Sequence, residues 1–455
     1  MPQGLTVLAA IRPGEEERLR YILRAIGDDI NGKRLHLSAG QPRIDFPRSR
    51  AIHFARFAIL DDPDRGPNRK RLLYSSNYDG DLDAHLDELA ALTSDMHAIW
   101  GACEAYPGTA GFIGFMRAHA HEPEAFYIAF RDNTAEDVRQ SIALRRRVQP
   151  LLDAAPASSL AAIFPDGASG LPDFSSSGPA WAVEVHRVAT AAGRNISAAV
   201  KRLARALPVI IDLPRAVARC GFVNVFRGTQ KITATIDRVP AFRRVNRITR
   251  NRLPPMHSNY SSVDPDNAAI PAADVTVVPE DAIESRPIHD SPTFREDVIT
   301  QNQLTLITDV RDGQVDRVRA VMSAINSYSR RLAPPGSLIG VSTIHFVRWL
   351  LLDGGRRLMM VSDYDGSWES YIDEFAELIL SGLDAIWETC HGYPPDGARD
   401  VPALKRFLRS HQVPSDVFYS AYPDETILNI VNDRALVRAC QDQAPGRVGD
   451  LLARS

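Results

Sequence analysis

The sequence lacks most of the features that announce a common chemistry. Its four cysteines, Cys103, Cys220, Cys390 and Cys440, lie far apart with no CxxC pair. That excludes a disulfide framework and a thiolate zinc finger, and it makes a reducing compartment, the cytoplasm, the expected setting. No run of 18 apolar residues occurs, so no spanning helix is expected. The opening residues MPQGLTVLAAIRPGEEE carry neither a basic leader nor a small-residue cleavage site, which argues against a signal peptide. GxGxxG, Walker, HExxH and GxSxG patterns are all missing, so the common nucleotide, zinc-protease and serine-hydrolase sites find no support. Net charge is −3 over 455 residues, a balance that decides nothing until its distribution is followed along the chain.

What the chain does have is a repeat. IHFARFAILD at 52–61 returns as IHFVRWLLLD at 344–353, and RLLYSSNYDG at 71–80 as RLMMVSDYDG at 357–366. IWGACEAYP at 99–107 faces IWETCHGYP at 386–394, and RAHAHEPEAFY at 117–127 faces RSHQVPSDVFY at 409–419. Four matches in one order mark two copies of a module. We place them in regions 1–150 and 301–442, with a 443–455 tail.

Each copy opens on an apolar strand-like run, Leu5–Ile11 or Leu304–Val310. A stretch of helical spacing follows, with Leu19, Ile22, Leu23 and Ile26 in one copy and Val318, Val321, Met322 and Ile325 in the other. Two further strands come next (52–60 and 71–76; 344–352 and 357–362). A long helix at 82–103 or 368–390 precedes a shorter one ending near His119 or His411. The last strand, Ala125–Phe130 or Val417–Tyr422, leads into a closing helix whose pattern is weaker in the second copy. This order is β-α-β-β-α-β, and one such unit leaves a sheet face that must be covered. The expected fold class is therefore α+β: two ferredoxin-like βαββαβ repeats packed face to face.

Region 151–300 differs. It holds 14 of the 31 prolines, and within it 186–255 carries 15 lysines and arginines against only Asp212 and Asp237, a balance of +13. The rest of the chain must then be acidic. Around 192–207 an apolar stripe (Ile196, Val200, Leu203, Leu207) lies opposite Arg194, Lys201, Arg202 and Arg205, a pattern suited to an anionic membrane surface. The alternative is that the stripe packs on the protein itself and the arginines meet its acidic surface. Nucleic acid fits less well, because few aromatics accompany the charge.

Polar residues kept in both copies are the candidates for chemistry. His53 and His345 open the second strand, with Arg56 and Arg348 three positions on, so alternation predicts opposite faces. A buried arginine needs an anionic partner: a ligand or bound peroxide in one reading, an aspartate joining strand to helix in the other. Asp79–Gly80 and Asp365–Gly366 end the third strand, where Asp suits a helix N-cap and Gly the turn. Trp100, Cys103 and Tyr106, with Trp387, Cys390 and Tyr393, read as core-facing stripes.

The element order resembles the dimeric α+β barrel superfamily in a tandem, single-chain form. SNYDG and SDYDG are also similar to the GxxDG motif of dye-decolourising peroxidases of that superfamily, with Ser76 and Ser362 in place of the first glycine. The resemblance implies a haem, with Asp365 beside Arg348, or Asp79 beside Arg56, acting on peroxide, Gly366 in the cofactor loop, and a histidine as axial ligand. His345, His391 and His411 are the candidates in the second copy, and His53 and His119 in the first; His345 and His411 lead as iron ligands. Two functions follow. One is a haem-dependent, peroxidase-like oxidoreductase at a membrane surface; the other is a non-catalytic membrane-surface scaffold or ligand-binding module.

Overall fold

A computed structural model describes residues 1–30, 42–154, 300–331, 333 and 335–441. The basic stretch 186–255, its expected helix at 192–207 with Arg194, Lys201, Arg202 and Arg205, and the 443–455 tail lie outside them. The described chain is α+β, with two four-stranded antiparallel sheets covered by helices.

The first half runs β1 (Pro2–Ala10), α1 (Glu16–Ile30), β2 (Ile52–Asp61), β3 (Lys70–Asp79), α2 (Leu82–Leu92), α3 (Met96–Trp100), α4 (Phe112–Ala118), β4 (Ala125–Ile128) and α5 (Ala135–Ala154). The second half repeats that order: β5 (Gln301–Asp309), α6 (Val315–Arg331), β6 (Ile344–Leu352), β7 (Arg357–Asp365), α7 (Trp368–Leu378), α8 (Leu380–Trp387), α9 (Val401–Ser410), β8 (Val417–Ser420) and α10 (Ile427–Gln441). Leu19, Ile22, Leu23 and Ile26 are all buried on α1, as their spacing predicts, and Glu16 and Glu17 favour its positive end.

The structure divides what the sequence presents as one long helix. Thr93 bonds back to the Leu89 carbonyl at 2.7 Å, and Asp95 caps the new helix α3 by accepting from the Ala98 N–H at 2.9 Å. In the second half the break falls at Ile379, whose φ −137° and ψ 38° are not helical. The closing helix of the second half is well formed, with 15 residues in α10.

Strand pairing crosses between the halves. One sheet has the order β1-β3-β2-β8 and the other β4-β6-β7-β5, so each takes three strands from one half and its last from the other. Just before β4, the chain also runs along β1: Leu8 N–H donates to the His119 carbonyl at 3.0 Å and His121 N–H to that of Thr6 at 2.8 Å. The same happens before β8, where Ile307 donates to His411 at 3.0 Å and Val413 to Thr305 at 2.8 Å. Two backbone hydrogen bonds on each side therefore link the edge strand β1 to the segment that leads into β4, and the edge strand β5 to the segment that leads into β8.

Between the sheets three zones follow one another. Leu8, Ala58, Leu60 and Leu73 meet Leu350, Leu352, Met359 and Val361 at one end. Two arginines fill the middle. At the other end stand Phe54, Phe346, Phe130 and Tyr422 with two histidines. The opposite faces of the sheets pack on the helices, and Trp100, Cys103, Trp387 and Cys390 all belong to those layers, as their spacing suggests.

Helices α5 and α10, one from each half, share a buried ionic cluster. Arg145 bonds Glu425 at 2.5 Å and lies 2.8 Å from Asp433, and burial pushes the Asp433 carboxyl up to about 6. The native state thus holds a proton that the unfolded chain releases near pH 4. Stability gained at acid pH should decline by on the order of 2 kcal/mol as pH rises from about 4 to 6. Asp433→Asn should flatten that slope in urea unfolding measured across the window. An unchanged slope would show that Asp433 titrates normally.

Candidate functional site

The site candidates converge between the two sheets, and the local cause is a bulge in each second strand. Register slips between Ile52 and Phe54 on β2, and between Ile344 and Phe346 on β6, so His53 and His345 are extra residues in their strands. A bulge overrides simple alternation. His53 and Arg56, expected on opposite faces, both reach the other sheet: His53 lies 5.3 Å from the Phe346 ring, and Arg56 bonds Asp363.

Arg56 and Arg348 are each 1% exposed. Arg56 donates to Gln303 Oε1 at 3.0 Å, the Leu304 carbonyl at 3.1 Å, the Ser362 carbonyl at 2.9 Å and Asp363 Oδ1. Arg348 donates to the Leu5 carbonyl at 3.0 Å, the Ser76 carbonyl at 2.8 Å and Asn77 Oδ1 at 2.8 Å. Asn77 in turn donates to Asp363 Oδ2 at 2.7 Å. An aspartate does meet a buried arginine, but it joins strand to strand across the two sheets; the strand-to-helix pairing considered from the sequence does not occur. Burial draws both arginines below their usual range, Arg348 to about 10, and Asp363 opposes the shift. Arginine stays protonated in proteins, so two positive charges lie near one carboxylate, which Arg56 bonds directly and Arg348 reaches through Asn77.

Gly4 explains how Arg348 fits. A Cβ there would sit 2.4 Å from the Arg348 guanidinium.

Asp79 and Asp365 do not cap the helices that follow them; Asp81 and Ser367 do, accepting from Ala84 and Ser370. Instead Asp79 accepts from the Ala135 N–H at 2.7 Å, at the start of α5, and Asp365 from that of Ile427 at 2.8 Å, at the start of α10. Each also faces the bulged histidine of its own sheet. His345 Nε2 bonds Asp365 at 2.6 Å, and His53 Nε2 lies 3.0 Å from Asp79. Carboxylates at helix N-termini gain from the helix dipole. Gly80 and Gly366, with φ of +93° and +79°, make the left-handed turns after them.

The two histidines differ in one partner. His53 Nδ1 and the Tyr422 hydroxyl share a hydrogen bond of 2.8 Å. Phe130 holds the matching place beside His345, 5.7 Å away and edge-on, and His345 Nδ1 is buried with no hydrogen-bond partner. The other candidate histidines lie elsewhere. His119 and His411 bond the carbonyls of Phe115 and Phe407, four residues back, at 2.8 and 2.7 Å, and His391 is exposed on a turn. Burial pushes the Cys103 thiol up to about 12 and also raises that of Cys390, so neither is an activated nucleophile.

A haem would need a histidine with a free ring nitrogen beside open space, and an arginine and aspartate together on its other side. Arg348 and Asp365 bond different partners and do not meet. The free nitrogen of His345 is enclosed by the rings of Phe54, Phe130 and Tyr422 at 5.3–6.3 Å. As a set, these residues do not fit the group. Among the described residues, no group of three His, Cys, Asp or Glu could hold a metal ion, and no helix is long and apolar enough to cross a membrane.

Asn77, Asp363, Tyr422 and Gly4 were not singled out in the sequence. The signal for two of them was present: SNYDG and SDYDG differ at positions 77 and 363 by a charge.

The unpaired nitrogen of His345 makes a direct prediction. Phe130→Tyr supplies the missing hydroxyl and should stabilise the protein by about 1 kcal/mol, whereas Tyr422→Phe orphans His53 and should cost about 1–3 kcal/mol. Thermal denaturation of both variants checks this, and destabilisation by Phe130→Tyr would contradict it. Comparison of the chain with protein-family models, with curated proteins and with solved structures returned no match.

Proposed function

We propose that this protein is a non-catalytic scaffold that holds its basic segment 186–255 against an anionic membrane surface. One observation carries the reading: the interior polar groups that might act on a substrate are buried and, His345 Nδ1 apart, bonded to protein partners. Arg56, Arg348, His53 and His345 are at most 1% exposed, and each holds a strand or a helix end in place. In this reading the halves are copies of one ferredoxin-like βαββαβ unit, closed as a single-chain α+β barrel. Charge supports the rest, because the +13 segment stands apart from regions 1–150 and 301–442, which together carry −6, and is flanked by the acidic stretches 151–185 and 256–300, which together carry −11. Attraction between the cationic segment and the acidic parts of the chain is screened at physiological salt, whereas the segment gains about 1 kcal/mol per lysine or arginine at an anionic bilayer. The protein would then work in the cytoplasm, peripherally on the inner face of the membrane.

A second reading is the haem-dependent, peroxidase-like oxidoreductase acting on peroxide. The one feature that favours it is the buried His345 nitrogen without a partner; the rings of Phe54, Phe130 and Tyr422 that enclose it count against it.

The two readings part in two measurements. Vesicles containing phosphatidylserine should co-sediment with the full chain in low salt and release it in high salt. Changing Arg194, Lys201, Arg202 and Arg205 together to Glu should weaken binding at least tenfold. Equal binding by that variant would remove the segment as the anchor. Titration of the purified protein with haem should give no Soret band of a ligated iron; a band lost in His345→Ala would overturn the scaffold reading in favour of the oxidoreductase.

A further inference from the structure

The contact between Asn77 and Asp363 carries more than a single hydrogen bond. The two residues hold the same position in their sheets. Asn77 lies opposite Gly4 and Phe54 in the register of the first sheet, and Asp363 lies opposite Gln303 and Phe346 in that of the second. Their side chains meet at 2.7 Å between the sheets. Equivalent positions that touch one another mark the axis about which the halves are related. The arginines obey the same relation. Arg56 bonds the second sheet at Leu304, Ser362 and Asp363, and Arg348 bonds the first at Leu5, Ser76 and Asn77.

That relation allows the like-with-like pairings to be worked out. Two N-terminal halves would bring together two arginines and two Asn77 side chains, burying two cations with no carboxylate. Two C-terminal halves would match two Arg348 cations with two Asp363 carboxylates, but would place one Asp363 against the other at hydrogen-bond distance with no donor between them, where two carboxylates cannot both stay ionised. Only the unlike pair brings an amide donor to a carboxylate acceptor and leaves the carboxylate free to hold Arg56. A single polar contact at an axis sets partner choice in this way when each alternative lacks either the carboxylate or the donor that the contact needs.

We propose that positions 77 and 363 form a recognition contact that lets each half close only on an unlike half, whether from the same chain or from a second copy of it. The exchanged strands β4 and β8 make both routes equivalent in backbone bonding, so the selectivity lies in the side chains at the axis. This inference does not rest on the membrane reading.

The test uses the full chain. Asp363→Asn removes the carboxylate of this contact and Asn77→Asp opposes two of them, so each should lower the thermal midpoint by roughly 10 °C or prevent folding. The double variant Asn77→Asp/Asp363→Asn restores one amide and one carboxylate, with Arg348 taking the charged partner, and should recover most of the loss. A double variant as unstable as the worse single one would overturn the proposal, as would single variants that melt with the wild type. Co-refolding tagged with untagged chains at high concentration then tests the second route. Wild type should capture wild type, and the double variant should capture itself. A wild-type and double-variant mixture should not cross-capture, because exchange would set amide on amide and carboxylate on carboxylate. Equal capture in all mixtures, or capture in none, would overturn the claim that a second copy is admitted by this contact.

Discussion

Two arginines placed between two sheets impose the constraint on which this structure depends. A guanidinium removed from water must find acceptors for its N–H groups or the fold loses several kcal/mol. Here the acceptors come from the opposite sheet: backbone carbonyls of Leu304, Ser362, Leu5 and Ser76, the side chains of Gln303 and Asn77, and one carboxylate, Asp363. Each arginine therefore binds the half it does not belong to. Removing either sheet would strand the cation of the other.

The periphery follows the same logic of mutual dependence. The last strand of each half completes the sheet of its counterpart, and the aspartate that ends β3 or β7 holds both a histidine and the first turn of a closing helix. Arg71 pairs with Asp353 and Arg20 with Asp416, again across the halves. These contacts are too numerous and too buried to open one at a time, so the halves should behave as one cooperative unit.

Much of the arrangement was legible in the sequence. The repeated segments, the order of strands and helices, the buried stripe of α1, and the core placement of Trp100, Cys103, Trp387 and Cys390 follow from spacing and burial preference alone. The need for an anionic partner at an inward arginine was legible too, but its identity was not, because Asp363 lies 307 residues from Arg56 in the chain. The exchange of the last strands is equally invisible to local pattern: β4 and β8 are short apolar segments of four residues that satisfy either sheet. Alternation failed at His53 for a physical reason, since one bulged residue shifts the phase of everything beyond it. The similarity of SNYDG and SDYDG to a haem motif drew the aspartates toward catalysis, yet in this fold a carboxylate after the third strand meets a helix N-terminus and a histidine.

Native-state hydrogen exchange tests the cooperative account most directly. If the arginines bind the halves into one unit, the central amides of β2 and β3 and those of β6 and β7 should exchange only through a common opening. They should then share one free energy and one dependence on denaturant. Exchange of either pair of strands at a distinctly lower free energy than the other would show that a half can open alone, and would contradict the account.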